Sequence, residues 1–197
     1  SYMENNSLIN VGLGADWDGV DPMTSNGAEN GGISIRDSGL TGTMYIRNNT
    51  IYRHSMDRSD NDVGCLALQG SGDNVSIVWT NNICVAKTSQ EFVGAGYRAD
   101  AKMDNISGTN NIWFAAGATS SFPEWDKEGF AIDPNIEIFG AKILLNEASP
   151  AVDGGVPIDF STDVYGTRRD SSPDIGAVEY KAGGTFPPLP PSGVDIN

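Results

Sequence analysis

The chain is poor in the residues that most often carry chemistry. Among its 197 residues there is one histidine, His54, two cysteines, Cys65 and Cys84, and five lysines. A serine-type triad needs a histidine beside a nucleophile and an orienting acid, and no Gly-x-Ser-x-Gly elbow is present. His54 therefore reads as a turn residue of RHSMDRSDNDVG, at most a rim contact. The cysteines form no CxxC pair and have no histidine partners, so zinc lacks a ligand set. Two buried thiols and a disulfide both stay open, the latter in an oxidising compartment. No apolar run approaches membrane-spanning length, and no basic-then-apolar leader is visible. Positive charge is scarce: 12 basic against 26 acidic residues give a net charge of −14. Nucleic acid and anionic membranes would be repelled. The expectation is a soluble, secreted protein. Because Ser1 falls inside what reads as a repeat, the chain is expected to be a module of a longer polypeptide.

What is abundant is glycine, 24 residues, and a recurring Asn-Asn followed by a large side chain. The phrase reads ENNSLIN, RNNTIY, TNNICV and TNNIWF, with the second Asn at Asn6, Asn49, Asn82 and Asn111, at intervals of 43, 33 and 29 residues. Self-similarity at a period of 20–50 residues is the signature of a solenoid. Short period-two segments precede each pair, GGISIRDSG, GCLALQGSG and, more loosely, GAGYRAD. Period two between glycine and asparagine turns marks strands rather than helices. Counting back from the Asn pair aligns Ile35, Leu68 and Tyr97, and likewise Ile46, Trp79 and Gly108. The column Leu8, Ile51, Cys84, Trp113 is expected to point inward, with the second asparagines stacked at a corner and bonding amide to amide. The predicted fold is all-β: a right-handed parallel β-helix of a few coils with a C-terminal cap, over residues 1–180. Residues 181–197, with FPPLPPSG, read as a proline-rich linker or tail.

Candidate contacts follow from what this register leaves outside. The long first interval locates an insertion, GADWDGVDPMTSNGAENGG, carrying Trp17 in a polar, glycine-rich loop. Trp17 either folds back over apolar surface or offers a flat face to a ligand. Asp16, Asp18 and Asp21 beside it are oxygen ligands suited to Ca²⁺, but no EF-hand spacing follows, so solvated acids are the simpler reading. Arg36, Gln69 and Arg98 fall in one outward column edged by small residues, and planar donors suit hydroxyl or carboxylate acceptors. Tyr45 and Arg47 face outward on the adjoining sheet, with Tyr52 just past the corner. In GATSSFPEWDKEGF, Trp125 either packs across the side of the stack or forms a second aromatic platform. An ordinary solvated face competes with each of these readings.

The stretch from Phe130 to Tyr180 carries Asp133-Pro134, SPAVDGG from Ser149, the Asp163–Arg168 segment and DIGAVE from Asp174. This pattern resembles the closing segment of secreted bacterial β-helix proteins of the polysaccharide-lyase and related carbohydrate-active kind. It covers about the last third of the chain, and the Asn-rich repeats agree with it over most of the rest. Its expected role is a cap over the last rung, an otherwise open sheet edge, pinned by Arg168 or Arg169 to Asp153, Asp174 or Glu179. A lyase of this kind needs a Lys or Arg base with cationic help. None of Lys87, Lys102, Lys127, Lys142 and Lys181 shares a column with Arg36 or Arg98. A glycosidase needs two carboxyl groups about 5–10 Å apart, and the acid clusters here lie in loops. The resemblance thus implies a non-catalytic carbohydrate-binding module, without a cofactor, similar to those attached to plant-polysaccharide-degrading enzymes such as xylanases. Its partners would be a neutral glycan, xylan or β-glucan, and a covalently linked catalytic domain. The alternative is the C-terminal part of a β-helix lyase or glycoside hydrolase, and a purely structural stalk is a third possibility.

Overall fold

Each repeat of the sequence yields short strands, and each strand pairs with its counterpart in the neighbouring repeat. A computed structural model describes residues 1–9, 32–37, 41–52, 65–70, 75–86, 93–95, 105–115, 122–140, 142–159 and 161–182. Within these the chain is all-β, with no α-helix. A first sheet holds β1 (Tyr2–Glu4), β4 (Gly42–Arg47), β7 (Val75–Thr80) and β10 (Ile106–Thr109). A second holds β2 (Ser7–Ile9), β5 (Thr50–Tyr52), β8 (Ile83–Ala86) and β11 (Ile112–Ala115). A third holds β3 (Ile33–Asp37), β6 (Leu66–Gly70) and β9 (Val93–Ala95). Every pairing in these three sheets is parallel. An antiparallel hairpin of β12 (Ile136–Phe139) and β13 (Lys142–Leu145) follows.

The expected inward columns are present. Leu8 pairs with Ile51, Ile51 with Cys84 and Cys84 with Trp113. Met3, Ile46, Trp79 and Gly108 line up in the first sheet. Trp79 and Trp113 are fully buried with ring centroids 6.1 Å apart in a stack, an arrangement that adds about 0.5–1.5 kcal/mol to simple burial. Cys65, just before β6, and Cys84 on β8 form a disulfide through this interior, with Cα atoms 6.1 Å apart.

The two asparagines of each pair do different work. Asn5, Asn48, Asn81 and Asn110 sit at φ between 49° and 55°, the left-handed conformation that asparagine tolerates better than other side chains. They turn the chain from the first sheet into the second. Each second asparagine then accepts at Oδ1 from the one before it: Asn49 from Asn6, Asn82 from Asn49 and Asn111 from Asn82, at 2.8–3.1 Å side chain to side chain. The same oxygens accept the backbone N–H groups of Asn6, Asn49 and Asn82. The stacked-asparagine expectation is met at all four positions.

Two expectations are corrected. Leu68 pairs with Ala95, not Tyr97. The cause is segment length: Leu68 precedes Asn82 by 14 residues, whereas Ala95 precedes Asn111 by 16. Arg36 and Gln69 are partners in register, whereas Arg98, the third member expected in their column, lies outside the described residues. Second, the pairing on the last rung is made by residues 126–130, of which only Phe130 belongs to the C-terminal segment, with Asp126 bridging Gly108 and Phe130 bridging Ile112. Asn111 Nδ2 donates to Asp126 Oδ2 at 3.0 Å, so a carboxylate ends the amide ladder. Gly129 stands where a fifth asparagine would, and a Cβ there would lie 2.8 Å from that carboxylate oxygen.

Residues 134–180 instead run as a strap along the outer face of the second sheet. Ile83, Val85 and Ile112, on the side of that sheet away from Cys84 and Trp113, share a second core with Ile143, Leu145, Ala151, Ile175, Ala177 and Val178. The first asparagines of the pairs hold the strap. Asn5 Nδ2 donates to Thr162 O at 2.6 Å, and Asn48 Nδ2 to Asp174 O and Gly176 O at 3.0 and 3.2 Å. Asn81 exchanges two bonds with Val156, and Asn110 donates to Gly154 O at 3.1 Å.

Candidate functional site

Among the described residues, the outer face of the first sheet carries an exposed aromatic arrangement. Alternation along β4 sends Met44 and Ile46 inward and leaves Thr43, Tyr45 and Arg47 outside. Register then sets Tyr2 beside Tyr45 and Glu4 beside Arg47. The two tyrosine rings stack at 5.0 Å with an interplanar angle of 15°. Arg47 Cζ lies 4.3 Å from the centre of Tyr45 and 5.1 Å from that of Tyr2. Glu4 Oε1 stands 3.5 Å from Arg47 Nη1 and holds the guanidinium in place. Tyr2 is 66% exposed, whereas Tyr45 is half-buried. Two flat rings, a fixed cation and the hydroxyls of Thr43 and Ser76 thus share one surface. Such a surface can take the C–H face of a sugar while its edges bond hydroxyl groups.

The other candidates lie elsewhere. Tyr52 is half-buried against the second core, under the strap. Trp125 packs on the first core, edge-on to Trp113 at 5.6 Å, in space left by Gly108, where a Cβ would meet its ring at 2.6 Å. Trp125 therefore takes the first of its two readings, packing on the stack, and is not brought near Tyr45 by any contact. Arg36 and Gln69 are placed by backbone register alone, and their side chains lie outside the described atoms. Trp17, Arg98, His54 and the acids Asp16, Asp18 and Asp21 lie outside the described residues, as does the proline-rich stretch after Ala182. Among the described residues no group of His, Cys, Asp or Glu side chains is arranged to hold a metal ion.

Perturbed ionisable groups often mark functional sites, but those found here are committed to holding the chain. Burial raises the Asp126 carboxyl above its ordinary value, against the opposing bonds from Trp113 and Asn111. Trp113 Nε1 donates to Asp126 Oδ2 at 2.6 Å. Burial also pushes Asp174 up to about 6, although the backbone N–H groups of Tyr180 and Asp153 bond its carboxylate. Glu179 is raised by burial too and receives Arg169 Nη1 at 2.8 Å. Burial lowers Arg169, a change opposed by Glu179, Asp163 and Asp174. Of the two arginines expected to pin the segment, Arg169 does so, through Glu179; Arg168 is exposed. Asp163 accepts from the backbone of Tyr165, Thr167 and Glu179 at 2.7–2.9 Å. Gly176, at φ 96°, lets the strap approach to where a Cβ would lie 2.6 Å from Thr50 Oγ1. A groove of about 240 Å³ beside this cluster is lined by Pro157, Asp159, Ser161, Arg168, Arg169 and Asp170 among others.

Sequence reading found Tyr45 and the outward Arg47 but missed Tyr2. The signal was available: Tyr2 precedes Tyr45 by 43 residues, the interval that separates Asn6 from Asn49. No protein-family model matches this chain, and none of the curated proteins matches it either.

Proposed function

We propose that the chain is a non-catalytic carbohydrate-binding module that recognises a neutral plant cell-wall polysaccharide, xylan or β-glucan, and delivers an attached glycoside hydrolase to it. Its scaffold in this reading is a right-handed parallel β-helix. The three parallel sheets, each joining strands three apart in chain order, support the winding, and the strong preference of parallel crossovers supplies the hand. The observation that carries the function is the exposed Tyr2–Tyr45 stack with Arg47 beside both rings. A net charge of −14 favours an uncharged glycan over a polyuronate. Trp17, Arg36, Gln69 and Arg98 belong to the proposal as further contacts, and secretion is its natural setting.

Affinity electrophoresis against xylan, mixed-linkage β-glucan and polygalacturonate tests it. Retardation by a neutral glycan, weakened by Tyr45→Ala and Tyr2→Ala, is the expected result. Retardation by polygalacturonate alone, or by none of the three, refutes the reading. Release of reducing ends by this chain would favour a lyase or hydrolase fragment instead.

A further inference from the structure

Val78 and Ser107 follow Tyr45 in register on the outer face of the first sheet. The surface therefore drops from tyrosine height to valine and serine height immediately beyond Tyr45. Because the Tyr2 and Tyr45 rings stack across adjacent strands, one face of Tyr45 lies on Tyr2 and the other is turned along the sheet toward β7. Arg47 does not cover that second face. Its distances of 4.3 and 5.1 Å, with 5.0 Å between the rings, close a nearly equilateral triangle, so the guanidinium lies beside both rings. Tyr45 is thus the wall of a step, Val78 and Ser107 are its floor, and the exposed hydroxyls of Thr43 and Ser76 flank it in the next column.

We propose that this step seats an extended, unbranched β-1,4-linked chain of neutral sugars running across the strands, one sugar per strand, its first pyranose against Tyr45. The inference rests on the carbohydrate-binding reading and narrows it to linkage and direction. Neighbouring strands are about 4.8 Å apart, close to the advance per sugar in an extended β-1,4-linked glycan. Hydroxyls of successive sugars then meet Ser76 and Ser107 in step. An α-1,4-linked glycan coils away from a flat sheet and keeps only its first contact. The stripe of Thr43, Tyr45, Ser76, Val78 and Ser107 carries no formal charge, which suits sugars without carboxylates.

Calorimetric titration of the full chain with xylo- and cello-oligosaccharides of increasing length, and with maltohexaose, tests the inference. Affinity is expected to climb to about two sugars, one over each of the two floor strands beyond the Tyr45 wall, and then to level off. Maltohexaose is expected to bind on the order of tenfold more weakly. Val78→Trp, which fills the floor, and Ser107→Arg, at an exposed position, should each weaken β-1,4 binding by about the same factor with unchanged thermal midpoints. If xylan binds and neither variant weakens it, or maltohexaose binds equally well, the step is not the seat and the inference fails while the carbohydrate-binding reading stands. If no neutral glycan binds the wild-type chain, both fall.

Discussion

Replacing Asn82 by alanine should destabilise the fold far more than the same change at Asn6, although both stand in one ladder. Asn82 is fully buried. Its Oδ1 accepts from the backbone and side chain of Asn49, both at 2.9 Å. Its Nδ2 donates to Ile46 O at 2.9 Å, Thr80 O at 3.1 Å and Asn111 Oδ1 at 3.1 Å. Some partners keep a second bond in the variant: Asn49 Nδ2 still reaches Met3 O, and Asn111 Oδ1 still accepts the Asn82 N–H. The Asn49 N–H and the Ile46 carbonyl lose a bond in a dry interior. Each orphaned buried group costs about 1–3 kcal/mol, so the expected loss is about 2–6 kcal/mol. Asn6 is half-buried and its amide donates to Glu4 O and Asn49 Oδ1, the latter still held by the Asn6 N–H. There the expected loss is about 1 kcal/mol. Urea unfolding followed by tryptophan fluorescence measures both. With a slope of roughly 2 kcal/mol per molar urea, Asn82→Ala should lower the midpoint by about 1–3 M. A midpoint shift no larger than that of Asn6→Ala, at unchanged slope, would refute the claim that the inner amides hold the turns.

Two further outcomes follow from the strap. Gly176→Ala should destabilise by at least about 2 kcal/mol, because residue 176 sits at φ 96° and a Cβ would lie 2.6 Å from Thr50 Oγ1 and 2.7 Å from Ile83 Cδ1; a thermal midpoint matching wild type would contradict the packing described. As to pH, Asp174 is raised to about 6 in the folded chain from an ordinary 3.8. The folded state therefore holds this proton more tightly, and its contribution is complete below the ordinary value and lost as pH rises through about 6. The difference corresponds to about 3 kcal/mol at most, and the raised Asp126 and Glu179 act in the same direction. Urea midpoints should be higher at pH 5 than at pH 7.5, and the reverse order would show that these carboxylates are not buried as described.

Much of this architecture was legible because identical residues recur at the same places. The second asparagines and the Leu8–Ile51–Cys84–Trp113 column could be aligned from the intervals alone. The strap's path was not read, yet a signal for it existed: Ile83–Ala86 and Ile112–Ala115 are apolar at every position rather than at alternate ones, as expected of strands buried on both faces. The first asparagines were passed over because their role is conformational. A left-handed turn leaves no hydrophobic pattern, and their grip on the strap joins residues between 44 and 157 positions apart. The slip of the third repeat was hidden by counting backwards through a segment two residues longer than its predecessors. Tyr45 was found from alternation, whereas its pairing with Tyr2 needed the interval to be applied outside the asparagine motif.

The amide ladder runs one way, every side chain giving its proton toward the later repeat and the last giving it to Asp126. A stack of this sort could be lengthened between any two rungs by a segment bearing its own Asn-Asn, since each rung both takes and gives. The strap allows no such freedom: it reaches Asn5, Asn48, Asn81 and Asn110 through residues fixed in its own sequence. It therefore serves as a ruler, and a chain with one repeat duplicated would leave a left-handed asparagine with nothing to grasp.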